Sequence, residues 1–148
     1  RNTPDKIGLM MYCLCYVSTK RKGLLQSDTL DIIKSSSKKN LEKDITGILI
    51  DYQNNFLQHL EGDPILIYEL FEKIKQDPRH EKISLVQYSP IEKRLFTKWN
   101  MIYKSVDASI NDQKELNRLK QSLNELIEHK SFWNGIKTIE AMSNLIKD

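Results

Sequence analysis

The hydrophobic and polar positions in the first part of the chain predict a buried strand followed by a helix. Residues 10–18 are apolar, aromatic or β-prone on both alternating faces, which is typical of a central strand covered on both sides. Ser27 can cap a helix that has an acidic first turn and ends near Asn40. Leu30 and Ile33 of this helix are predicted to face inward.

A hairpin is predicted next. Residues 44–52 and 56–60 are two strand-like runs separated by Gln53, Asn54 and Asn55. Asn tolerates the left-handed backbone conformations that a tight hairpin turn requires, so the two runs are expected to pair.

The pattern then changes to a helical period. Asp63 offers a cap, and Pro64 can occupy the first helical position, where its missing N–H costs nothing. Apolar residues recur at helical spacing at Ile67, Leu70, Phe71 and Ile74. Asp77-Pro78 is expected to end this second helix.

Two further strands, residues 83–88 and 98–106, complete the first two thirds of the chain. The order is strand, helix, two strands, helix, two strands. Such an order predicts an α+β fold with the helices on one face of the sheet.

The tail has two apolar helical stripes. One consists of Leu116, Leu119, Leu123 and Leu126, and the other of Ile136, Ile139, Met142 and Ile146. Asn134-Gly135 is predicted to separate them. The two helices are expected to cover the second face of the sheet; alternatively they bind a partner or relay a signal.

Composition narrows the class of protein. The chain has 148 residues, 29% charged and 39% hydrophobic, as in an ordinary globular domain. Its formal charge of +3 comes from 23 basic and 20 acidic residues, without the concentrated basic patch typical of direct nucleic-acid binding.

The apolar run and the cysteines indicate a cytoplasmic location. Residues 9–17 are far shorter than the ~20 apolar residues that span a bilayer, so no membrane segment is expected. No small-residue cleavage site of a secretory signal follows them. Cys13 and Cys15 share one strand face and are interpreted as small buried hydrophobes, with neither a disulfide nor a metal site.

Several polar residues lie where apolar ones are expected. Strand alternation places Gln58 between Phe56 and Leu60, and a buried amide without a partner costs ~1–3 kcal/mol. Tyr16 lies inward on the first strand, so a structural Tyr16–Gln58 hydrogen bond is the simplest explanation.

For the other polar or aromatic positions, structural explanations also remain open. Asn40 can be a helix C-cap or a turn residue. Arg79 and His80 fit a solvated loop, and Trp99 and Met101 fit core packing.

Five segments, in this order and spacing, resemble the BLUF family of flavin-dependent blue-light sensors. They are CYVS at 15–18, Asn40 with ITGIL at 45–49, FLQHLEG at 56–62, DPRH at 77–80 and RLFTKWNM at 94–101. Together they are specific, whereas each alone is weak. The match implies a BLUF domain over residues 10–106 and a helical extension over residues 107–148.

The resemblance implies a ferredoxin-like β-α-β-β-α-β-β fold that holds FAD between its two helices. Asn40 would contact the pyrimidine edge of the flavin ring, because an amide can both accept from N3–H and donate to O4. The ring would be sandwiched by Ile32 and Ile74. Ser36, Asp77, Arg79 and His80 would complete the cofactor site.

The same resemblance implies a photoswitch. Excited flavin would take an electron and a proton from Tyr16, and recombination would leave Gln58 rotated or tautomerised, with a new hydrogen bond to the flavin. Trp99 would lie nearby, and the packing of Met101 would respond to the switch.

The function predicted from the resemblance is that of a photoreceptor without catalytic turnover. It would signal through the last strand and the tail helices to an unidentified downstream protein or to a second copy of itself. The alternative is the light-input fragment of a larger enzyme, such as a nucleotide cyclase or a cyclic-dinucleotide phosphodiesterase.

A third hypothesis, a ferredoxin-like protein without flavin, has less support. An RNA-recognition sheet needs stacking aromatics in a basic, glycine-containing strand. An acylphosphatase-like enzyme needs a glycine-rich anion cradle after the first strand. The sequence contains neither pattern.

Overall fold

The computed structural model describes residues 10–98 and 100–146. The elements follow the predicted order. They are β1 (Met11–Lys20), α1 (Gln26–Glu42), β2 (Thr46–Tyr52), β3 (Asn55–Gly62), α2 (Pro64–Lys75), β4 (His80–Ile91), β5 (Ile102–Ser105), α3 (Val106–Ser109), α4 (Gln113–Glu128) and α5 (Phe132–Leu145).

The five strands form one sheet in the order β4-β1-β3-β2-β5. Strand β1 pairs antiparallel with both β3 and β4, which confirms that residues 10–18 belong to an interior strand. The β2–β3 hairpin is present, and β2 pairs parallel with β5. The fold is α+β and ferredoxin-like, as predicted.

The start of α1 differs from the prediction. The residue that caps the helix is Leu25, not Ser27, and its N–H donates to Oδ2 of Asp28 at 3.0 Å. Leu30 is 52% exposed instead of inward, whereas Thr29 is buried. Successive residues of a helix are rotated by about 100°, so the stripe that packs through Thr29 and Ile33 turns Leu30 toward solvent.

Helix α2 begins as the sequence predicts. Oδ1 of Asp63 accepts from the N–H groups of Ile65 and Leu66 at 2.9 and 3.1 Å, and Pro64 is the first helical residue. The carboxylate therefore satisfies two backbone donors that the helix itself leaves open. Ile67 and Phe71 are the buried residues of the helix.

Strands β4 and β5 have different lengths from those predicted. Strand β4 extends over His80–Ile91, so His80 is a buried strand residue and not part of a solvated loop. Strand β5 has four residues, Ile102–Ser105, instead of nine. Residues 92–98, 100 and 101 belong to the connection between these strands, hereafter the β4–β5 loop, in which the backbone N–H groups of Leu95 and Phe96 bond to a side chain.

The sheet separates two buried cores. The first face, covered by α1 and α2, contains Leu14, Tyr16, Leu60 and Phe71. The second face carries a buried core that includes Leu116, Leu119, Leu123 and Leu126 of α4. The tail helices thus cover the second face, as predicted.

The boundary between the tail helices is earlier than predicted. Helix α5 begins after Ser131, whose Oγ accepts from Asn134 N–H at 3.1 Å, so Asn134-Gly135 lies inside the helix. A Cβ at residue 135 would lie 2.4 Å from Cγ1 of Val86. Gly135 is therefore required by close packing of α5 on β4, not by a helix break.

Cys13 and Cys15 are free thiols, both buried on β1. Burial raises the pKa of each, so both thiols stay protonated. Among the described residues, no helix has the length and apolar character needed to cross a membrane.

Candidate functional site

A cavity of about 160 Å³ lies between α1 and α2 on the first face of the sheet. This volume is many times the ~10–15 Å³ that one buried water needs. Its lining comes from four strands, both helices and the residues that follow each helix: Tyr16, Ile32, Ser35, Ser36, Lys39, Lys43, Leu49, Phe56, Gln58, Leu70, Lys73, Ile74, Asp77, Arg79 and His80.

Two polar side chains form the floor of the cavity. Tyr16 and Gln58 are direct partners in the β1–β3 register. The Tyr16 hydroxyl donates to Oε1 of Gln58 at 2.5 Å, which is the hydrogen bond that strand alternation predicted. Both side chains are almost fully buried, at 3% and 4% exposed, so each satisfies a group that would otherwise be costly.

The Nε2 end of the Gln58 amide faces Met101, the residue before the last strand. Nε2 of Gln58 donates to Sδ of Met101 at 3.6 Å. A thioether is a weak acceptor, so this contact holds the amide orientation less firmly than the Tyr16 bond does. Met101 is 8% exposed and belongs to the same core as Tyr16.

The Tyr16 phenol is held as a hydrogen-bond donor. Burial raises its pKa well above the usual range, with smaller contributions from Cys15 and Asp77. The ring also contacts the rings of Phe71 and His80, at centroid distances of 5.6 and 6.0 Å. The phenol is therefore protonated across the physiological pH range and fixed in orientation.

His80 connects the rim of the cavity to the sheet. Its Nε2 donates to the carbonyl oxygen of Ile74 at 2.8 Å, since a carbonyl can only accept, and its Nδ1 is bonded to Oγ of Ser18 at 2.8 Å. The ring thus joins the end of α2 to β1 and is held in place by bonds at both nitrogens.

Asp77 and Arg79 form a paired rim. Nε and Nη2 of Arg79 donate to the carboxylate at 2.9 and 2.6 Å, and the backbone N–H of Arg79 donates to it at 2.9 Å. The Arg79 side-chain bonds are the largest cause that lowers the pKa of Asp77. The carboxylate is therefore ionised at neutral pH and fixes the turn after α2.

Asn40, in α1, is fully buried and is not among the described residues that line the cavity. Its Nδ2 donates to the backbone carbonyl of Asn100 at 2.7 Å, and Asn100 Nδ2 donates to the carbonyl of Ile45 at 3.0 Å. Oδ1 of Asn40 has no hydrogen-bond partner among the described residues. A buried acceptor without a partner needs an explanation, and a hydrogen bond to a ligand is one.

The rim of the cavity is cationic. Lys39, Lys43, Lys73 and Arg79 line it, and Asp77 is the one carboxylate among the described lining residues. Since Asp77 is already paired with Arg79, three lysines remain as excess positive charge. Such a rim favours an anionic group on whatever occupies the cavity.

Reasoning from the sequence did not identify several residues that line the cavity. Ser35, Lys39 and Lys43 continue the α1 stripe that starts at Ile32, and Leu70 and Lys73 continue the α2 stripe that includes Ile74. Extending each helical stripe by three or four positions would have identified them. Leu49 and Phe56 could not be identified in this way, because their pattern is that of ordinary buried strand residues.

The predicted site residues are mostly brought together. Those that line the cavity are Tyr16, Ile32, Ser36, Gln58, Ile74, Asp77, Arg79 and His80. Met101 reaches the site through its contact with Gln58, and Asn40 is buried outside the described cavity lining. Trp99 lies outside the described residues.

Solved structures that match this fold include a BLUF protein and a light-regulated enzyme. The dark-state structure of BlrB, a BLUF protein, matches with a TM-score of 0.76 and 29% identity over 94% of this chain and 99% of that one. A bacterial light-regulated adenylyl cyclase matches with a TM-score of 0.69 and 29% identity, over 81% of this chain and 37% of its own. Klebsiella pneumoniae BlrP1, solved as a manganese and cyclic-diGMP complex, matches with a TM-score of 0.67 and 26% identity, over 80% of this chain and 33% of its own.

Curated relatives share the same segment. The beta subunit of the photoactivated adenylate cyclase of Euglena gracilis is 29% identical over 60% of this chain. The blue light- and temperature-regulated antirepressor BluF of Escherichia coli is 32% identical over 55% of it. The matched segments span 10% and 21% of those relatives. The model of the family described as sensors of blue-light using FAD matches residues 11–102, so this chain belongs to the BLUF family of flavin-binding blue-light sensors.

Proposed function

We propose that this chain is a blue-light photoreceptor in which Tyr16 and Gln58 perform the switch next to a non-covalently bound flavin. The observation that carries the proposal is the 2.5 Å hydrogen bond between these two buried side chains on the floor of a cavity. A purely structural pair would not need to face an open cavity of this size.

The residues present fit a flavin. Ile32 and Ile74 offer apolar walls from the two helices, which suits a flat aromatic ring. The open Oδ1 of Asn40 suits the N3–H donor of the ring, although its Nδ2 already bonds to Asn100. Gln58 offers amide donor and acceptor atoms on the cavity floor. These residues, with Ser36, Asp77, Arg79 and His80, would hold the cofactor.

A bound flavin supplies absorption of blue light and, once excited, a strong demand for one electron. Tyr16 can meet that demand because an oxidised phenol loses its proton readily, and its proton has a partner at 2.5 Å, Oε1 of Gln58. Return of the electron and the proton to Tyr16 would leave the flavin as before and Gln58 rotated or tautomerised. Either change exchanges donor and acceptor at the two ends of the amide.

The switch would reach the rest of the protein through Met101. This residue contacts Nε2 of Gln58 and directly precedes β5, which pairs with β2. On the second face, Tyr52 of β2 donates to Oδ1 of Asn124 in α4 at 2.8 Å. A change worth one to a few kcal/mol at Gln58 shifts a two-state equilibrium roughly ten- to a hundredfold.

FAD, or another flavin that carries phosphate, is the proposed cofactor, because the cavity rim carries Lys39, Lys43 and Lys73 in excess of its acidic groups. Riboflavin carries no phosphate, so it would leave the three lysines without an anionic partner.

The protein is proposed to be a photosensor without catalytic turnover, acting in the cytoplasm. Residues 10–106 would be the sensor and residues 107–148 the helical output element. The partner would be a downstream signalling protein or a second copy. BlrB supports this proposal, because the match covers 99% of that chain.

A second candidate is the light-input part of a larger enzyme. The match spans only 37% of a light-regulated adenylyl cyclase and 33% of BlrP1. The reading frame surrounding this sequence decides between the two, because an enzymatic output adds a hundred or more residues.

The experiment that tests the proposal is the absorption spectrum of the purified protein, reconstituted with FAD, before and after blue light. A reversible shift to longer wavelength is expected. A protein that takes up no flavin would overturn the assignment.

A further inference from the structure

A buried carboxylate on the second face of the sheet holds the loop that carries Met101. Glu61 lies near the end of β3, on the face opposite Gln58, and is fully buried. Its carboxylate accepts from the backbone N–H of Leu95 at 3.0 and 3.1 Å to its two oxygens, and from that of Phe96 at 3.0 Å. Both donors belong to the β4–β5 loop.

His59 completes the coordination of this carboxylate. Its Nε2 lies 2.9 Å from Oε2 of Glu61 and donates to it, since a carboxylate only accepts. The imidazole also contacts the ring of Phe96 edge-on, at 5.5 Å. Its Nδ1 is buried without a partner among the described residues. The imidazole thus has Nδ1 buried without a described partner, while Nε2 bonds to Glu61.

Arg94 fastens the same stretch from the outside. Its Nη1 donates to the backbone carbonyl of Glu61 at 3.0 Å and to Oγ1 of Thr46 at 2.8 Å, and its Nη2 donates to the carbonyl of Asp44 at 2.9 Å. The loop is therefore fixed to the ends of both β2 and β3. We call Glu61, His59 and Arg94 the loop clamp.

The loop passes from one core to the other. Phe96 is buried in the second-face core and Met101 in the first-face core. Phe96 and Met101 are five positions apart, so the clamped residue lies at most ~17 Å along the chain from Met101. Met101 is the residue whose Sδ contacts Nε2 of Gln58. The clamp thus restrains the chain before Met101, together with the bonds of Asn100 to Asn40 and Ile45.

We propose that Glu61, oriented by His59, is a positioning residue of the photoswitch: it fixes the β4–β5 loop so that Met101 stays against Nε2 of Gln58 and favours the resting orientation of the amide. This inference rests on the proposed function. Glu61 does not touch the cavity and acts only through the loop.

The test compares Glu61→Gln with Asp51→Asn in the full chain. Glutamine keeps the size but turns one acceptor into a donor that opposes the loop N–H groups. Asp51 is a matched control, a buried carboxylate of the same sheet that bonds to Lys20 and Tyr103 and not to the loop. The readouts are the lit-state lifetime, the ¹³C-methyl NMR signal of Met101 in dark and light, and amide exchange at residues 95 and 96.

In Glu61→Gln the flavin is expected to bind as in the wild type, the lit state to decay about tenfold more slowly, the change that loss of a charge-assisted bond implies, and the Met101 light response to be lost. His59→Phe keeps a ring against Phe96 and should give a change of about threefold in the same direction. Asp51→Asn should leave the Met101 signal and the lifetime near wild type.

The proposal is overturned by a Met101 response and lifetime in Glu61→Gln equal to those of the wild type, or by equal changes in Asp51→Asn. If Glu61→Gln does not fold, Arg94→Gln supplies the test with the same readouts and the same two outcomes. Amide exchange is also measured without flavin. A wild type that binds no flavin defeats the proposed function, while faster exchange at residues 95 and 96 still establishes the clamp.

Discussion

The phenol of Tyr16 and the amide of Gln58 lie opposite each other across paired strands, and the phenol donates to Oε1 at 2.5 Å. This single bond fixes the amide orientation, because Oε1 is committed to the phenol and Nε2 must then face Met101. A change in the hydrogen bond that the phenol donates therefore also changes the contact between Nε2 and Met101.

Tyr16→Phe and Gln58→Leu are each expected to bind flavin but to lose the reversible long-wavelength shift, because each removes one end of this bond. The measurement is a light-minus-dark difference spectrum at equal flavin content. Tyr12→Phe is the matched control: Tyr12 lies on the same face of β1 and packs against Tyr88 at 4.9 Å, away from the cavity lining. A shift of wild-type size in Tyr16→Phe would contradict the proposed switch.

The three rim lysines are expected to select flavins that carry phosphate. Replacing Lys39, Lys43 and Lys73 by Gln should weaken FAD and FMN binding by about tenfold at low salt, since each exposed ion pair contributes about 0.2–1 kcal/mol, and should leave riboflavin affinity unchanged. Titration by flavin fluorescence at two salt concentrations measures this effect.

A matched variant with the same loss of charge replaces Lys34, Lys38 and Lys75, which are exposed and do not line the cavity. It should bind all three flavins as the wild type does. An equal loss of riboflavin affinity in the rim variant would show that the lysines support the fold and not the phosphate.

The Asp77–Arg79 pair is expected to give stability that depends on pH. The pKa of Asp77 is lowered in the folded protein, first by the Arg79 side chain. Its contribution is therefore complete above the ordinary Asp pKa and is lost as the pH falls through the lower folded value. Urea unfolding of wild type and Asp77→Asn should differ by about 0.5–1 kcal/mol at pH 7, given the partial exposure of the pair.

That difference should stay constant down to about pH 5 and shrink below about pH 4. Asp31→Asn, at an exposed position of α1, should change stability by less than about 0.5 kcal/mol. A wild-type advantage that grows below pH 4 would contradict the assigned direction of the pKa shift.

Gly135→Ala is expected to destabilise the protein although alanine favours helix. The added Cβ would meet Cγ1 of Val86 at 2.4 Å, and overpacking costs about 1–3 kcal/mol, more than the ~1 kcal/mol gained from helix propensity. Urea unfolding measures the balance. In the background of Val86→Ala the same change should instead stabilise, and destabilisation there would refute the steric explanation.

The sequence by itself determined those features that depend on neighbours within a few positions. Strand alternation placed Gln58 between Phe56 and Leu60, and the Asp63-Pro64 pair identified the start of α2, because caps and periodicities are local. The same local reasoning failed at Leu25, where a side chain from within the first turn supplies the partner, and at Gly135, whose reason is a residue on another element.

Only the tertiary structure decided what lies opposite what. Strand register set Tyr16 against Gln58, and packing across sixty positions joined Asn40 to the carbonyl of Asn100. The rim lysines come from two helices that meet only in the folded protein, and Glu61 finds its donors in a loop thirty-four residues away. The resemblance named many of the residues that line the cavity, but the Asn40–Asn100 contact and the loop clamp depend on the folded geometry and leave no periodic trace in the sequence, which is why they could not be predicted from it.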